Sequence, residues 1–355
     1  MPTVCLNTPN TQVHLAQERL EVRAKSLGSA CSDEVLREIP LRDVERVMVF
    51  EWVTVTSAAM AAMLRRGIPV SFFAWSGEFL GGVLPTAPAH GLSRLRQYQR
   101  TMDKEFALMV AGRIVAAKLY NQRRVLQRLL ACRREEDGEA DEGLKCPLMP
   151  YHRQVVEEAV KWLGGRFEAV VGSKTLDELR GHEGVCTARY FEAWSMLLPT
   201  AFPFERRSTR PPQNPVNACI SFGATMLYNE LVAMLHAHGL DPALGLLHNS
   251  ENGRWSLALD LMEPFRPALV EALTLDVFSR QILKQEHFEP RNGGVYLNKE
   301  GRGKFILQYE RRMERQFMSE SVGHRTTLRQ QLEQQCLMYK AALEEPEKFE
   351  PFLMN

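Results

Sequence analysis

The apolar residues of this chain change their spacing once, across residues 85–91, and this change constrains the fold more than any other feature. Before it, short runs rich in Val and Thr alternate apolar and polar positions, as β-strands with one buried face do. After it, apolar residues recur about every 3.6 residues over long stretches, as in amphipathic helices. The sequence therefore predicts an α+β protein, with an N-terminal β-rich domain followed by a larger, mainly α-helical domain.

The β-rich part, residues 1–84, contains six runs that predict strands: TQVHLA, RLEVRA, DVERVMVF, EWVTVT, IPVSFFAW and EFLGGVL. The last two are expected to form a hairpin that turns at Ser76 and Gly77, because Ser-Gly pairs are common in tight turns. One helix, AAMAAMLRR, interrupts the strands. Ser57 is its predicted N-cap, and Gly67 is expected to end it in a left-handed conformation.

The segment PTAPAHG contains two prolines and a glycine, and it predicts a linker over residues 85–92. Residues 93–345 then form the predicted helical domain, and residues 346–355 form a charged tail. The helices expected in that domain cover 93–131, 152–163, 183–198, a segment from the N-cap Asn214 and Pro215 to Gly239, and about 303–344.

Cysteine usage and hydropathy exclude several classes of protein. The seven cysteines are scattered and include no C-x-x-C pair, which argues against a zinc ribbon and a disulfide framework. The N-terminal residues show no basic and apolar leader pattern, and no run of about 18 apolar residues occurs. We therefore expect a cytoplasmic protein that does not enter a membrane.

Charge is unevenly distributed, although the formal net charge is only +1. Residues 94–134 are strongly basic, and the acidic run EEDGEADE follows directly. On the predicted helix over 93–131, Arg96, Arg100 and Lys104 lie at i, i+4 and i+8 and form one basic stripe. Such a pattern fits a negatively charged partner without requiring one.

A histidine and two carboxylates interrupt the apolar stretch GLLHNSENGRWSLALDLMEPFRP, residues 245–267. Asp260 and Glu263 are three residues apart, so on a helix they share one face, with Cβ atoms about 5–6 Å apart. Two anions this close repel each other, and a metal ion, a basic partner or solvent would relieve the repulsion. Pro264 limits helix continuation, so the acidic pair is expected at the end of a short helix or turn.

His248 is expected at the mouth of a buried element, because it follows GLL and precedes a polar loop. Glu183, far upstream, begins a helical pattern. The residues of that pattern expected to face inward are Val185, Ala188, Phe191 and Trp194. His248 and Glu183 each have an ordinary interpretation, as a hydrogen-bonded core imidazole and as a carboxylate that complements a helix dipole. Together with the acidic pair they form a donor set that suits Mg²⁺ or Mn²⁺ better than structural zinc.

Four motifs occur in order along the chain: HEGVCTARYF at 182–191, NPVNACISFG at 214–223, GLLH at 245–248 and DLMEPFRP at 260–267. In this order they resemble the CRISPR-associated endonuclease and integrase of the spacer-acquisition (adaptation) module, the "Cas one" family. The N-terminal stretch VTVTSAAMAAMLRRGIPVSFFAWSGEFLGG also resembles the β-domain of that family. The resemblance therefore covers most of the chain.

The resemblance implies roles for particular residues. Glu183, His248 and Glu263 are the expected ligands of Mg²⁺ or Mn²⁺, and Asp260 lies beside the metal as a supporting acid. Asn217, the second Asn of the NPVN motif, is expected near the active site. A purely structural role for Asn217, as a polar residue of the first helical turn, is an equal alternative.

The resemblance also implies a reaction. The 3′-hydroxyl of a prespacer would attack a repeat phosphodiester by direct transesterification, and water in its place would give nuclease activity. The β-domain is expected to form a homodimer, and a small partner protein, "Cas two", is expected to bridge two dimers. Two alternatives stay open, a non-catalytic DNA-binding scaffold and a transposon-encoded integrase of the same fold. Tyr190 with Arg189 could suggest a tyrosine recombinase, but the acid-rich set makes a covalent intermediate unnecessary.

Binding of double-stranded DNA is expected to come from basic residues outside the acidic cluster, because phosphates are bound by Lys and Arg. Any one of these residues could instead belong to a solvated helix face, and Arg266 could pair with Asp260. The candidate phosphate contacts are Arg96, Arg100, Lys104, Arg123, Arg124, Arg128, Arg206, Arg207, Arg210 and Arg266.

Overall fold

The computed structural model describes residues 3–24, 34–74, 79–85, 91–132, 148–319 and 323–355. Three predictions lie outside these residues: the turn at Ser76 and Gly77, most of the linker, and the acidic run EEDGEADE. The chain forms two compact units. The first comprises Met1–Leu95 and Val232–Asp241, and the second comprises Arg96–Leu231 and Pro242–Asn355.

The first unit is built on two four-stranded sheets. Its strands are β1 (Thr3–Leu6), β2 (Thr11–Ala16), β3 (Arg19–Ala24), β4 (Val35–Pro40), β5 (Arg46–Phe50), β6 (Val53–Val55), β7 (Val70–Phe73) and β8 (Phe79–Val83). The sheet orders are β1-β5-β7-β8 and β4-β3-β2-β6. Strands β7 and β8 pair antiparallel, with Val70 opposite Val83, so the pairing of the two predicted hairpin strands is confirmed.

Helix α1 (Ser57–Arg65) lies between β6 and β7, as predicted, but its N-cap is Thr56 rather than Ser57. Thr56 has an extended backbone and its hydroxyl accepts a hydrogen bond from the Ala59 N–H, whereas Ser57 is already helical. Gly67 has a φ of +75°, which confirms the predicted left-handed end. The buried face of α1 packs into the apolar core of the unit.

The second unit is mainly helical, as predicted. The helices after α1 are α2 (Gly91–Met102), α3 (Lys104–Cys132), α4 (Pro150–Gly164), α5 (Phe167–Val171), α6 (Leu176–Ser195), α7 (Pro215–Ala237), α8 (Ser256–Met262), α9 (Ala272–Ser279), α10 (Lys299–Glu314) and α11 (Leu328–Ala342). Two short hairpins pair β9 (Phe288–Arg291) with β10 (Gly294–Leu297) and β11 (Phe317–Met318) with β12 (Arg325–Thr326). Helix α3 contacts α4, α5, α6 and α8, so the unit packs around it.

The prediction of one helix over 93–131 is wrong, because two helices meet at Asp103. The Asp103 carboxylate accepts hydrogen bonds from the Phe106 and Glu105 backbone N–H groups and thereby caps α3. These bonds, chiefly the one from Phe106, hold the pKa of Asp103 below its usual value. A short polar side chain can thus divide a helix without glycine or proline. The predicted basic stripe consequently does not follow one continuous helix.

Helix α6 begins earlier than predicted. The Thr175 hydroxyl accepts a hydrogen bond from the Glu178 N–H and caps the helix, which places Glu183 in its interior. The interpretation of Glu183 as a first-turn residue that complements the helix dipole is therefore wrong.

The predicted inward face of α6 is half correct. Phe191 and Trp194 are buried, but Val185 and Ala188 are exposed. Tyr190, which the prediction placed off this face, is fully buried. The buried stripe of α6 runs through Leu179, Cys186, Tyr190 and Trp194, at spacings of 7, 4 and 4 residues. The prediction took every third residue from Val185, a spacing that drifts around a helix of 3.6 residues per turn and meets the buried stripe only at its end.

Both ends of helix α7 are confirmed. The Asn214 side chain accepts a hydrogen bond from the Asn217 N–H at 2.8 Å, Pro215 is the first helical residue, and Gly239 has a φ of +74°. Among the described helices, α7 is the one with the length and apolar composition needed to cross a membrane. Because 67% of its apolar window is buried, it has the character of a core helix.

The prediction of one helix over about 303–344 is wrong, because this stretch contains part of α10, the β11–β12 hairpin and α11. Thr327 determines where α11 begins. Its hydroxyl accepts a hydrogen bond from the Gln330 N–H, and the Gln330 side chain accepts one from the Thr327 N–H. In the predicted tail, Phe352 is buried and its ring stacks on Phe265, with centroids 4.5 Å apart.

Candidate active site

Two carboxylates from distant parts of the sequence meet at one ammonium group. Glu183 lies in α6, Glu263 directly follows α8, and Lys118 lies in α3. The Lys118 Nζ atom is 2.5 Å from Glu183 Oε1 and 2.5 Å from Glu263 Oε2. The two carboxylate oxygens are therefore separated by at most twice that distance. Glu263 follows the short helix α8, as predicted for the acidic pair.

Glu183, Glu263 and Lys118 stabilise one another in their charged forms, which burial alone would disfavour. The side chains of Lys118 and Glu263 are only 5% and 4% exposed, whereas Glu183 reaches solvent. Burial alone would raise the pKa of Glu263, but the positive charges of Arg266 and Lys118 outweigh it and lower this pKa to about 2. Burial also opposes the charge on Lys118, but Glu263 and Glu183 outweigh it and raise the lysine pKa.

Arg266 is the second cation of the group. Its Nη1 atom donates a hydrogen bond to Glu263 Oε1 at 2.8 Å, and the Glu263 carboxylate raises the pKa of the guanidinium. The structure thus pairs Arg266 with Glu263 rather than with Asp260, the partner considered from the sequence. The Glu263 carboxylate is thus held from two sides, by Arg266 and by Lys118.

Asp260 fixes the position of His248. It is fully buried, and its Oδ2 atom accepts hydrogen bonds from the Leu246 and Leu247 N–H groups at 2.6 and 3.0 Å. Its Oδ1 atom contacts both the His248 N–H at 3.0 Å and His248 Nδ1 at 2.6 Å. With the Nδ1 proton donated to Asp260, the lone pair of the imidazole is on Nε2, the tautomer needed for a ligand or a base.

The loop before His248 is tightly packed. A Cβ atom at Gly245 would collide with the His248 carbonyl oxygen and would lie 2.5 Å from the Ser256 Cβ, so a side chain at this position would displace the loop. The His248 side chain is 29% exposed. Burial lowers its pKa, but the Asp260 hydrogen bond and nearby carboxylates outweigh this effect, so the pKa is raised. The expected position of His248 at the mouth of a buried element is confirmed.

The carboxylate oxygens of Glu183 and Glu263 lie close enough together to bind one cation. The Lys118 ammonium is itself a cation held by both carboxylates, and the buried Glu263 Oε2 atom has no hydrogen-bond partner beyond this ion pair. Within the described residues, however, no three His, Cys, Asp or Glu side chains are grouped closely enough to hold a metal ion. Glu183 and Glu263, which now hold the Lys118 ammonium, would use the same two oxygen atoms to hold a divalent ion.

Asn217 supports a loop rather than pointing freely into the site. Its Oδ1 atom accepts hydrogen bonds from Arg207 Nη1 at 2.8 Å and from the Ser208 N–H at 2.9 Å. Its Nδ2 atom donates to the Arg206 carbonyl oxygen at 2.9 Å, and the residue is fully buried. The hydrogen bonds of the Asn217 amide are thus made to residues 206–208, in the loop that follows Phe204.

The basic residues predicted to contact DNA fall into two groups, those that bind other groups of the protein and those that are exposed. Several are engaged within the protein: Arg96 pairs with Glu344, Arg100 donates to the Leu343 carbonyl, Arg123 donates to the Val160 carbonyl, Arg124 donates to Gln127, Arg207 binds Asn217, and Arg266 binds Glu263. Burial also lowers the pKa of Arg207 to about 10. The remaining four are exposed: Lys104, Arg128, Arg206 and Arg210.

An arginine-rich cavity of about 390 Å³ was not predicted from the sequence. We call this the arginine cavity. Of the residues that line it, only Arg128 was among the predicted DNA contacts. The charged residues that line it are Arg128, Arg280, Arg311, Arg312, Arg315 and Asp276. Asp276 accepts a hydrogen bond from Arg312, and among the described ion pairs no other carboxylate joins these arginines. The run ERRMER at the end of α10 was the available sequence signal.

Tyr190 is not placed to act as a nucleophile. Its side chain is fully buried in α6, and burial raises its pKa well above the usual value. A tyrosine nucleophile needs access to the scissile phosphate, so the geometry agrees with the sequence-based preference against a tyrosine recombinase.

The chain thus combines a β-rich first unit with a helical second unit that contains two carboxylates on one ammonium and an imidazole held by a buried aspartate. Residues 4–311 match the family described as CRISPR associated protein Cas1, and the chain belongs to this family. The resemblance drawn from the four motifs is confirmed.

Two curated relatives illustrate the match. The chain is 34% identical over 306 residues to a CRISPR-associated exonuclease Cas4/endonuclease Cas1 fusion of Geobacter sulfurreducens. The aligned region covers 84% of this chain and 52% of the fusion. The chain thus spans about half the length of that relative. It is 32% identical over 351 residues to CRISPR-associated endonuclease Cas1 1 of Thermus thermophilus, with 96% of this chain and 99% of the relative covered.

Solved structures share the fold. A structure described as a partial Cas6-RT-Cas1–Cas2 complex has a TM-score of 0.74 at 24% identity and covers 100% of this chain and 99% of its own. A casposase bound to integration product has a TM-score of 0.71 at 19% identity and covers 98% and 91%. The predicted α+β fold, with β-rich and helical parts in that order, is confirmed.

Proposed function

We propose that this chain is a metal-dependent DNA endonuclease and integrase of CRISPR adaptation. It joins prespacer 3′-hydroxyl ends to repeat phosphodiesters by direct transesterification. The observation that carries this proposal is the convergence of Glu183 and Glu263 on one cation, with the His248 imidazole oriented by Asp260. The names of the curated relatives, which are endonucleases, support the class of reaction.

Glu183, Glu263 and His248 would hold Mg²⁺ or Mn²⁺, and the bound ion would offset charge on the phosphate oxygens and favour deprotonation of the attacking hydroxyl. The other residues have supporting tasks. Asp260 keeps the imidazole in the tautomer whose Nε2 can accept or coordinate. Arg266 holds the second oxygen of Glu263, which leaves one carboxylate oxygen free to face a cation.

DNA would bind to exposed arginines rather than to the predicted stripe. Four cavity arginines, Arg128, Arg280, Arg311 and Arg315, have no carboxylate partner in the described part of the chain. Phosphates are the anions that such a group attracts most strongly, because each arginine offers a planar pair of donors. Double-stranded prespacer and repeat DNA are the proposed ligands.

Two features of the solved relatives guide the choice of partners. One similar structure is a Cas1–Cas2 complex and another is a casposase with its integration product. We therefore expect this chain to act with a small Cas2-type partner. The homodimer and the cytoplasmic location stay predictions from the family resemblance. The casposase also keeps the transposon-encoded integrase in consideration, since it would use the same cluster on different DNA ends.

The test is a joining assay with the purified chain, its partner, a labelled prespacer duplex and repeat DNA. We expect joined product with Mg²⁺ or Mn²⁺ and none with EDTA. A prespacer that ends in a 3′-dideoxynucleotide should give no joined product, because it lacks the attacking hydroxyl, although hydrolysis should continue. Joining of the dideoxy end would contradict direct transesterification.

A non-catalytic DNA-binding scaffold is favoured by one observation, the position of Lys118 between the two carboxylates. In a scaffold this ion pair would be permanent and the cluster would serve only stability. DNA binding without cleavage or joining, in the presence of the partner and Mn²⁺, would support the scaffold and contradict the enzyme.

A further inference from the structure

Lys118 occupies an unusual place for a lysine. It lies on α3, it is 4% exposed, and its ammonium group contacts the two carboxylates proposed to bind metal. Lysine is rarely buried unless it is paired, so these carboxylates are what keeps it there. Removing its charge would leave two anions facing each other in a buried place, which is unfavourable.

The ammonium and a divalent ion cannot share this place. A divalent cation held by carboxylates lies about 2.0–2.6 Å from their oxygens, and Lys118 Nζ lies 2.5 Å from the same two atoms. Both cations would lie within about 2.6 Å of the same two oxygen atoms, so they would be close together and their positive charges would repel each other. This repulsion favours departure of the ammonium when Glu183 and Glu263 bind a metal ion.

The cluster around the Lys118 ammonium is partly accessible to solvent. Glu183 and His248 are 20% and 29% exposed, so solvent reaches the cluster at these two side chains, which we call its open side, whereas Glu263 and Asp260 are buried. Lysine has a flexible four-carbon stem and a compact charge, so its ammonium can move by rotation about the side-chain bonds. Arg266 stays on the opposite oxygen of Glu263 and keeps that carboxylate in position.

We propose that Lys118 is an exchangeable internal cation: its ammonium holds Glu183 and Glu263 together in the metal-free protein, and a divalent ion displaces it toward the open side of the cluster. This inference rests on the proposed metal-dependent function. It assigns Lys118 a positioning role, since the lysine preserves the spacing of the carboxylates until the metal arrives. It also makes Lys118 a competitor that weakens metal affinity.

The test measures Mn²⁺ binding to the full chain by calorimetry, without DNA. In Lys118→Met, the apolar side chain keeps the length of the stem but removes the competing charge. We expect Mn²⁺ to bind about tenfold more tightly, which corresponds to about 1.4 kcal/mol. The metal-free variant should unfold at a lower temperature than wild type, and Mn²⁺ should raise its unfolding temperature by more than it raises that of wild type.

Lys104→Met is the matched control, because Lys104 is an exposed lysine on the same helix. It should leave Mn²⁺ affinity unchanged. If wild type binds Mn²⁺ and folded Lys118→Met binds it no more tightly, the exchange is wrong while the proposed function stands. If neither protein binds Mn²⁺, the metal dependence of the proposed function and the exchange both fail.

A second measurement on wild type covers the case in which Lys118→Met does not fold. Lysine acetylation is followed by mass spectrometry, with and without saturating Mn²⁺. Lys118 should be protected in the metal-free protein and should react several times faster with Mn²⁺, whereas exposed Lys104 should react equally in both. Protection of Lys118 that persists at saturating Mn²⁺ would overturn the exchange.

Discussion

Asp260 and Glu263 look like equal halves of an acidic pair in the sequence, but they have different tasks in the structure. Both carboxylate oxygens of Asp260 accept hydrogen bonds, from the backbone N–H groups of residues 246–248 and from the His248 ring. Glu263 instead faces the Lys118 and Arg266 cations. The spacing of the two acids could not reveal this difference. The family resemblance separated them, with Glu263 as a ligand and Asp260 as a supporting acid, and those roles stay predictions.

Replacing Asp260 by Asn tests its role directly. The amide places N–H donors where the backbone donors now point, and it no longer fixes the Nδ1–H tautomer of His248. We expect the joining rate to fall about 10–100-fold, as for other residues that orient a metal ligand, and the unfolding temperature to fall as well. Asp43→Asn, at an exposed carboxylate of the first unit, should change neither. A fully active Asp260→Asn protein would show that the imidazole does not depend on this carboxylate.

Asn217 allows a structural and a catalytic role to be separated. Its buried amide makes three hydrogen bonds to residues 206–208, so Asn217→Ala should cost about 1–3 kcal/mol of unfolding free energy, measured by urea denaturation. Asn217→Asp keeps the acceptor for Arg207 and should retain more of the stability. Loss of joining activity in Asn217→Ala with unchanged unfolding free energy would instead indicate a direct catalytic role.

Lys118 shows where prediction from the sequence ends at this scale. It is one of many basic residues between positions 94 and 134, and its apolar flanks, IVAA and LY, indicate a buried part of the helix without showing which partners its ammonium meets. Its role depends on contacts with Glu183 and Glu263, which lie far away in the sequence. Only the fold brings the three residues together.

At the scale of helices and strands, apolar periodicity predicted the elements but missed their interruptions. Asp103 and Thr327 begin new helices through side-chain caps, and neither residue disturbs the apolar pattern around it. Glycine and proline were more informative, as the ends of α1 at Gly67 and of α7 at Gly239 show. Polar caps without a change of period are therefore the main source of error.

The cap of α6 can be tested, because this helix carries Glu183. Thr175→Ala removes the hydroxyl that accepts from the Glu178 N–H and should lower the unfolding free energy by about 1 kcal/mol. Glu183 lies deeper in the helix, so the joining rate well below the unfolding temperature should hardly change. Thr175→Ser should restore the stability. An equally stable Thr175→Ala protein would show that the hydroxyl does not act as a cap.

At the scale of the whole molecule, the sequence predicted a β-rich part followed by a helical part. It did not predict that a segment of the helical part belongs to the first unit. Residues Val232–Asp241 include the end of the continuous helix α7, yet they belong to the first unit. Ala233 packs against a cluster that contains Phe50 and Phe73 there. Periodicity cannot show where a helix passes from one unit to another, because the apolar spacing continues unchanged.

The DNA surface makes a prediction about salt. Replacing Arg280, Arg311 and Arg315 together by Gln should reduce the slope of log Kd against log salt by about 2–3, since each phosphate contact contributes about 0.9. The matched comparison replaces Arg96, Arg100 and Lys104 together. Arg96 and Arg100 are engaged near the end of α11, so we expect a smaller change. An unchanged slope in the first variant would remove the arginine cavity from the DNA-binding surface.

The central claim is that the cluster of Glu183, His248 and Glu263 performs metal-dependent strand joining. The most direct measurement is the joining rate of wild type, His248→Ala and Glu263→Gln, each with the partner and Mn²⁺, at DNA concentrations that saturate binding. We expect joining by wild type, a loss of at least about 100-fold in both variants, and none with EDTA. Joining by His248→Ala at the wild-type rate, or joining that persists in EDTA, would contradict the claim.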